Sequence, residues 1–176
     1  MIDELFSGVF RLEIPLPHSP LKMLNAYLIR GQERHLLIDT GFNRSECHAV
    51  LSDALNSIGV NNCELDFFLT HRHADHCGLA SSICGPGAIF YASAKDSTAI
   101  NNTTHWPEYW TDFLRRMIPH GMNEEQITQI SEIHPAILYC PSHELDFSIV
   151  GTGDILQYGG YTLTVIEVPG HTPVIW

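Results

Sequence analysis

No apolar run in the 176 residues approaches the roughly 20 residues that a bilayer-crossing helix needs, and the first ten, MIDELFSGVF, lack the basic start and small-residue cleavage site of a secretory signal. Together these absences lead to the expectation of a cytoplasmic protein with no membrane partner. Basic residues are scarce: nine Lys and Arg stand against twenty Asp and Glu, a formal net charge of −11. Phosphate backbones are held by clustered Lys and Arg, so this balance argues against nucleic acid and favours a small-molecule substrate. The five cysteines, Cys47, Cys63, Cys77, Cys84 and Cys140, form no CxxC pair, which removes a zinc ribbon and a disulfide framework and leaves buried reduced thiols. There is no GxSxG elbow to present a serine nucleophile and no phosphate-cradling glycine loop. Neither an internal repeat nor a low-complexity linker divides the chain, and 44% hydrophobic content is enough for the core of one domain.

What the chain has in quantity is histidine, eleven in all, and imidazole is the commonest ligand of transition metals. Phe10–Ile14, Ala26–Arg30 and His35–Ile38 read as strands of an antiparallel meander, broken by Pro- and Gly-containing turns. Ser45–Ile58 places Val50, Leu51, Ala54, Leu55 and Ile58 at helical spacing, with Gly59 as a stop. Leu65–Leu69 is a compact apolar strand that delivers the chain into Thr70-His71-Arg72-His73-Ala74-Asp75-His76, so the polar cluster lies at a strand's C-terminal end, where open α/β layers place chemistry. Ala88–Tyr91 is a further short strand. A helical insert follows at about 95–133. One apolar stripe runs through Trp106, Trp110, Phe113, Leu114 and Met117, and a second through Ile127, Ile130 and Ile133, with Asn123 as an N-terminus. Ile155–Tyr158 and Tyr161–Val168 form a hairpin across Gly159-Gly160 that ends at Pro169-Gly170-His171.

In an extended loop His71 and His73 are two apart and face the same side, while Asp75 and His76 arrive where the chain begins to turn. Imidazoles mixed with a carboxylate suit zinc, iron or manganese rather than calcium or magnesium. Cys77 and Arg72 face elsewhere and receive no role. His171, displayed after a strand and a Pro-Gly turn, completes the candidate set.

THRHADHCG at Thr70–Gly78, preceded by LIDTG at Leu37–Gly41 and followed by PGHTP at Pro169–Pro173, resembles the HxHxDH signature and flanking motifs of the metallo-β-lactamase superfamily, in its glyoxalase-II-like branch. The resemblance spans essentially the whole chain. It implies a mixed α/β (α+β) fold, a four-layer αββα sandwich, with His71, His73 and His171 in one zinc site, Asp75 and His76 contributing to a second, and Asp39 supporting the metal loop. It further implies hydrolysis of an ester, thioester or lactone by metal-bound hydroxide, with Asp75 orienting that hydroxide as the catalytic carboxylate. A sulfur-dioxygenase-like enzyme using one iron at His71, His73 and His171 is the alternative within the family; a non-catalytic metal-binding domain is the alternative outside enzymes. The family pattern continues beyond PGHT with a bridging carboxylate, another histidine and further strands. Neither Asp154 nor His105, His120, His134 or His143 obviously replaces them, so a domain truncated after PGHT, with an incomplete C-terminal half, is expected. Val174-Ile175-Trp176 then leaves a strand edge through which a second copy could pair.

Overall fold

The computed structural model describes residues 1–104, 112 and 114–172. Its main element is a seven-stranded sheet whose strands lie side by side in chain order: β1 Ile2–Phe6, β2 Val9–Pro15, β3 Met23–Ile29, β4 His35–Ile38, β5 Leu65–Phe68, β6 Phe90–Ala92 and β7 Phe147–Ile149. The first four are antiparallel and the last four parallel. A second sheet is the hairpin of β8 Ile155–Tyr158 and β9 Tyr161–Thr164.

Burial separates the two halves of the large sheet. β2 alternates, burying Phe10, Leu12 and Ile14 while the residues between them stay half-exposed, as expected of a strand with one covered face. All four residues of β5 are buried, because helices cover one face and the hairpin covers the other. Leu65, Phe67 and Leu69 join the helix-side core with Leu37, Leu51 and Leu55. On the opposite face Phe68 packs with Leu36, Val150 and Val165, and Leu156 and Leu163 of the hairpin lie over them.

Three helical connections run between the parallel strands. Helix α1, Ser45–Ile58, has the predicted bounds, buries Cys47, Leu51, Ala54 and Leu55, and stops at Gly59 in the left-handed conformation that glycine tolerates. Short helices α2 (Ala74–Cys77) and α3 (Ala80–Ile83) link β5 to β6, and α4 (Ala94–Thr104), α5 (Glu124–Ile133) and α6 (Pro135–Leu138) link β6 to β7. Asn123 caps α5 reciprocally with Gln126.

Several expectations need adjustment. β1 and β7 carry no clear alternation and were not predicted. The last hairpin strand ends at Thr164 instead of Val168: Ile166 and Val168 are exposed, and among the described residues no strand extends the ladder beside them. Of the stripe Ile127, Ile130 and Ile133 only Ile127 is buried, and Ile133 is 72% exposed. Trp106, Trp110 and Phe113 of the first stripe, His105, and the 174–176 strand edge lie outside the described residues.

The hairpin turn is held by geometry that only glycine satisfies well. Gly159 and Gly160 have φ of 59° and 82°, the pair of positive values required in a type I′ turn. A Cβ on Gly159 would stand 2.6 Å from the Arg30 carbonyl oxygen.

Candidate metal centre

The site is assembled at the carboxyl ends of three adjacent parallel strands. β4 ends at Asp39, β5 leads into Thr70 and His71, and β6 leads into Ser93 and Asp96. Asp39 has a φ of 60°, unusual for a residue with a side chain and tolerated by Asp. That turn brings its carboxylate under the histidine loop. There it accepts the Thr70 N–H (2.9 Å), the Thr70 hydroxyl (2.8 Å) and the His76 Nδ1–H (2.7 Å).

These bonds set tautomers. The Thr70 hydroxyl gives its proton to Asp39 and so accepts from His71 Nδ1 at 3.0 Å, leaving His71 Nε2 as a lone pair. His76 spends its Nδ1 proton on Asp39, leaving Nε2 outward. Orientation of a ligating imidazole through the ring nitrogen it does not use for the metal is a recurring feature of metal sites.

His71 Nε2 and His171 Nε2 each lie 3.0 Å from His73 Nδ1, and the three ligand atoms fall within 4.8 Å of one another. Zinc–nitrogen bonds of about 2.0–2.1 Å in a tetrahedral shell put neighbouring nitrogens roughly 3.3–3.4 Å apart, so the two spacings to His73 Nδ1 match a shared cation to within a few tenths of an ångström. The protonation balance fits as well. Burial, then the neighbouring His76, His73 and His171, push the His71 imidazole down to about 3; burial and His171 also push His73 down. His71 and His73, both held toward the neutral form, have lone pairs to donate. His71 is buried, His73 half-buried and His171 exposed.

Asp75 and His76 sit next to this trio on α2. Asp75 Oδ2 is 3.5 Å from His76 Nε2, and the His71 and His76 rings are 4.0 Å apart. Burial lowers the His76 imidazole, and its bond to Asp39 outweighs that and raises it. All five sequence-derived candidates are thus brought together, three in one cluster and two beside it. Asp154 is elsewhere, closing a turn onto the Gly151 N–H, and His134 caps α6. Cys77 is fully buried, its thiol pushed well up by that burial and donating to the Arg72 carbonyl at 3.5 Å.

Two contributors escaped the sequence reading. Thr70 was quoted only as the start of the motif, although a hydroxyl next to a candidate ligand is a natural tautomer anchor. Asp96 was passed over, although Ser93-Ala-Lys-Asp96 has the S-x-x-D spacing of a helix cap. Its carboxylate accepts the Ser93 hydroxyl (2.6 Å) and the Arg72 N–H (3.2 Å).

Comparison with known proteins gives the family of the chain. The family model described as the metallo-beta-lactamase superfamily matches residues 20–174. A probable metallo-hydrolase of Bacillus subtilis is 24% identical over 165 residues, 93% of this chain and 50% of that protein. The coenzyme F420H2 oxidase of Methanothermobacter marburgensis is 26% identical over 148 residues, 82% of this chain and 28% of that protein. Among solved structures, a metallo-beta-lactamase family protein from Thermus thermophilus superposes with a TM-score of 0.80 at 26% identity, over 98% of this chain and 55% of that one. The chain therefore spans half or less of the length of the curated relatives it matches. Motif order, sheet topology and a family match over nearly the whole chain lead to one conclusion: the chain belongs to the metallo-β-lactamase superfamily.

Proposed function

We propose that the protein is a metal-dependent hydrolase of a small ester, thioester or lactone, with zinc held by His71, His73 and His171 and a second ion approached by Asp75 and His76. The observation that carries this reading is the convergence of the ring nitrogens of His71, His73 and His171, with the lone pairs of His71 Nε2 and, beside the trio, His76 Nε2 left free by the bonds their Nδ1 atoms make to Thr70 and Asp39. Zinc with an open coordination position supplies hydroxide at neutral pH and polarises a carbonyl oxygen.

The chain's own groups do the rest. Asp39 keeps protons on Thr70 Oγ1 and His76 Nδ1, and Asp75, beside His76 Nε2, is placed to accept a proton from an attacking water. A cleft of about 230 Å³ adjoins His73 and Asp75 and is walled by Leu21, Phe42, Ala74, Pro135 and Ala136. That is smaller than the roughly 300–1,000 Å³ of pockets that enclose a whole ligand; it suits a short apolar arm next to the reacting carbonyl. Among the described residues the apolar wall is supplied chiefly by α6 and the loop before α1. The two parts of the wall are tied together: Asn43 donates its N–H to the Tyr139 carbonyl and its side-chain amide to that of Cys140.

The test is elemental analysis of freshly purified protein beside the His73→Ala variant, followed by a panel of thioesters and lactones. Zinc at one or two per chain, lost in the variant, is expected; undiminished metal in His73→Ala would sink the ligand set. A redox reading is favoured by one specific observation, the likeness to a protein named as an oxidase. Iron in place of zinc, with oxygen consumption, would select it.

A further inference from the structure

Both peptide planes that flank Arg72 are anchored from outside the histidine loop. On the N-terminal side, the Arg72 N–H donates to Asp96 Oδ1 at 3.2 Å. On the C-terminal side, the Arg72 carbonyl accepts the Cys77 thiol at 3.5 Å; one plane further along, and within the loop's own turn into α2, the His73 carbonyl accepts the N–H groups of His76 and Cys77 at 2.9 and 3.1 Å. Arg72 stands between His71 and His73. The angle of its two peptide planes therefore decides whether those imidazoles share a side, as they do with their nitrogens 3.0 Å apart.

Asp96 is unusual among these anchors. It is a carboxylate only 2% exposed, it belongs to the next strand–helix unit, and it departs from the ordinary capping box. There the acidic residue returns to the backbone N–H of the cap residue. Here the Asp96 N–H is taken by the Ser93 hydroxyl at 2.9 Å, one carboxylate oxygen accepts that hydroxyl, and the other leaves the helix for Arg72. A buried carboxylate is costly unless its acceptors are filled. The Arg72 N–H is accordingly held from a fixed point in the core instead of by water.

We propose that Asp96 is a positioning residue for the metal site: through the Arg72 N–H it holds His71 and His73 at ligand spacing, on top of any service as the cap of α4. This rests on reading His71 and His73 as ligands. Removing such an outer-shell partner costs about 10–100-fold in metal affinity in other metal sites. A residue that only capped a helix would lower the stability of the metal-free protein and leave affinity per folded molecule alone.

The experiment is zinc(II) titration of the full chain by calorimetry, with thermal unfolding of the metal-free protein and the visible spectrum of the cobalt(II) form. It is run on wild type, Asp96→Ala, Asp96→Asn and Ser93→Ala, with His73→Ala as the control for the ligand set. Asp96→Ala should bind zinc at least about tenfold more weakly and show an altered cobalt spectrum. Asp96→Asn, whose amide oxygen can still accept from Arg72, should recover most of that loss. Ser93→Ala should lower the unfolding midpoint with little change in affinity. Unchanged zinc affinity in a folded Asp96→Ala, or an equal affinity loss in Ser93→Ala, overturns the proposal. If Asp96→Ala does not fold, hydrogen exchange at the Arg72 amide of the wild type decides: protection supports the anchor, and exchange at the rate of an exposed amide refutes it. Zinc retained by His73→Ala would instead indict the ligand set.

Discussion

Asp66 and Asp39 are both buried carboxylates on the central parallel strands, and they terminate in opposite ways. Asp66, inside β5 on the face toward the hairpin, accepts Arg34 through Nε (2.9 Å) and Nη2, the Ile89 N–H (2.8 Å) and the Tyr158 hydroxyl (2.7 Å). Arg34 spends further N–H groups on the Cys63 and Leu65 carbonyls. Tyr158 also meets the Tyr91 hydroxyl, and the network ties β4, β5, β6 and the hairpin to one another. Asp39, at the other end of the same strands, is as well supplied with donors, but two of its chains continue outward. One runs through Thr70 to His71, the other through His76, and each finishes on a ring nitrogen facing the site. A closed network of buried polar groups holds elements together; an open one passes its order to whatever binds at its free ends. The same side-chain chemistry closes a network near the amino ends of the parallel strands and leaves one open, toward the candidate metal site, at their carboxyl ends.

Exchanging one carboxylate at each pole should break this comparison cleanly if it holds. Asp66→Ala leaves the Arg34 guanidinium facing a buried void and removes the acceptor for Tyr158. Breaking a buried pair costs about 3–5 kcal/mol, and about 3 is expected here because the Arg34 side chain is still 33% exposed. Zinc stoichiometry and affinity should stay as in wild type; a loss of zinc by folded Asp66→Ala would mean the poles are coupled. Asp39→Asn is the mirror image. Its amide can donate to His76 Nδ1 and so move the imidazole proton to Nε2, the wrong tautomer for a ligand. Zinc binding should weaken by about 10–100-fold, with a stability change nearer 1 kcal/mol. Denaturant unfolding and zinc titration on both variants read the two effects separately.

How much of this contrast was visible in the sequence follows from what kind of signal each pole leaves. The open pole is written locally: His71, Arg72, His73, Ala74, Asp75 and His76 are contiguous, so their common fate followed from strand alternation and one turn. His171, 98 residues from His73, came only through the ordered motifs around it. Helix α1 was legible to the residue, since its apolar spacing and Gly59 are both local. The closed pole is written nonlocally. Arg34, Asp66, Ile89 and Tyr158 lie in four separate segments, and Asp66 sits in an apolar run where a lone carboxylate reads as an interruption. The register of β4 on β5, which pairs His35 with Leu65 and Leu36 with Asp66, brings Arg34 to Asp66, and the pairing of β6 with β5 and the packing of the hairpin bring Ile89 and Tyr158. β7, three residues long, was missed for a related reason: it is a strand because β6 offers an edge, and nothing in Phe147–Ile149 alone demands it.

The smallest effect is the sharpest test of closure, because it removes a single hydroxyl. Tyr158→Phe takes one donor from Asp66 and a neighbour 3.2 Å from the Tyr91 hydroxyl, while its ring can stay packed with Leu36 and Phe68. About 1 kcal/mol of stability should be lost at pH 7. Burial pushes Tyr158 up, and Tyr91 and Asp66 push it further, so this hydroxyl keeps its proton throughout the working range. Burial also pushes Asp66 up, but Arg34, the Ile89 N–H and Tyr158 outweigh it and hold the carboxyl below its ordinary value. A carboxyl depressed in the folded state stabilises at pH values above its unfolded pKa, about 3.9, and loses that contribution as pH falls through the folded value. Without the Tyr158 hydroxyl the folded value rises toward the unfolded one, so the acid-induced loss should be smaller and complete at higher pH in Tyr158→Phe than in wild type. Urea midpoints from pH 7 down to pH 3 measure both shifts. Identical midpoints across that range would mean that Leu156 and Leu163 hold the hairpin on the large sheet by apolar contact alone, and that the Asp66 network closes without it.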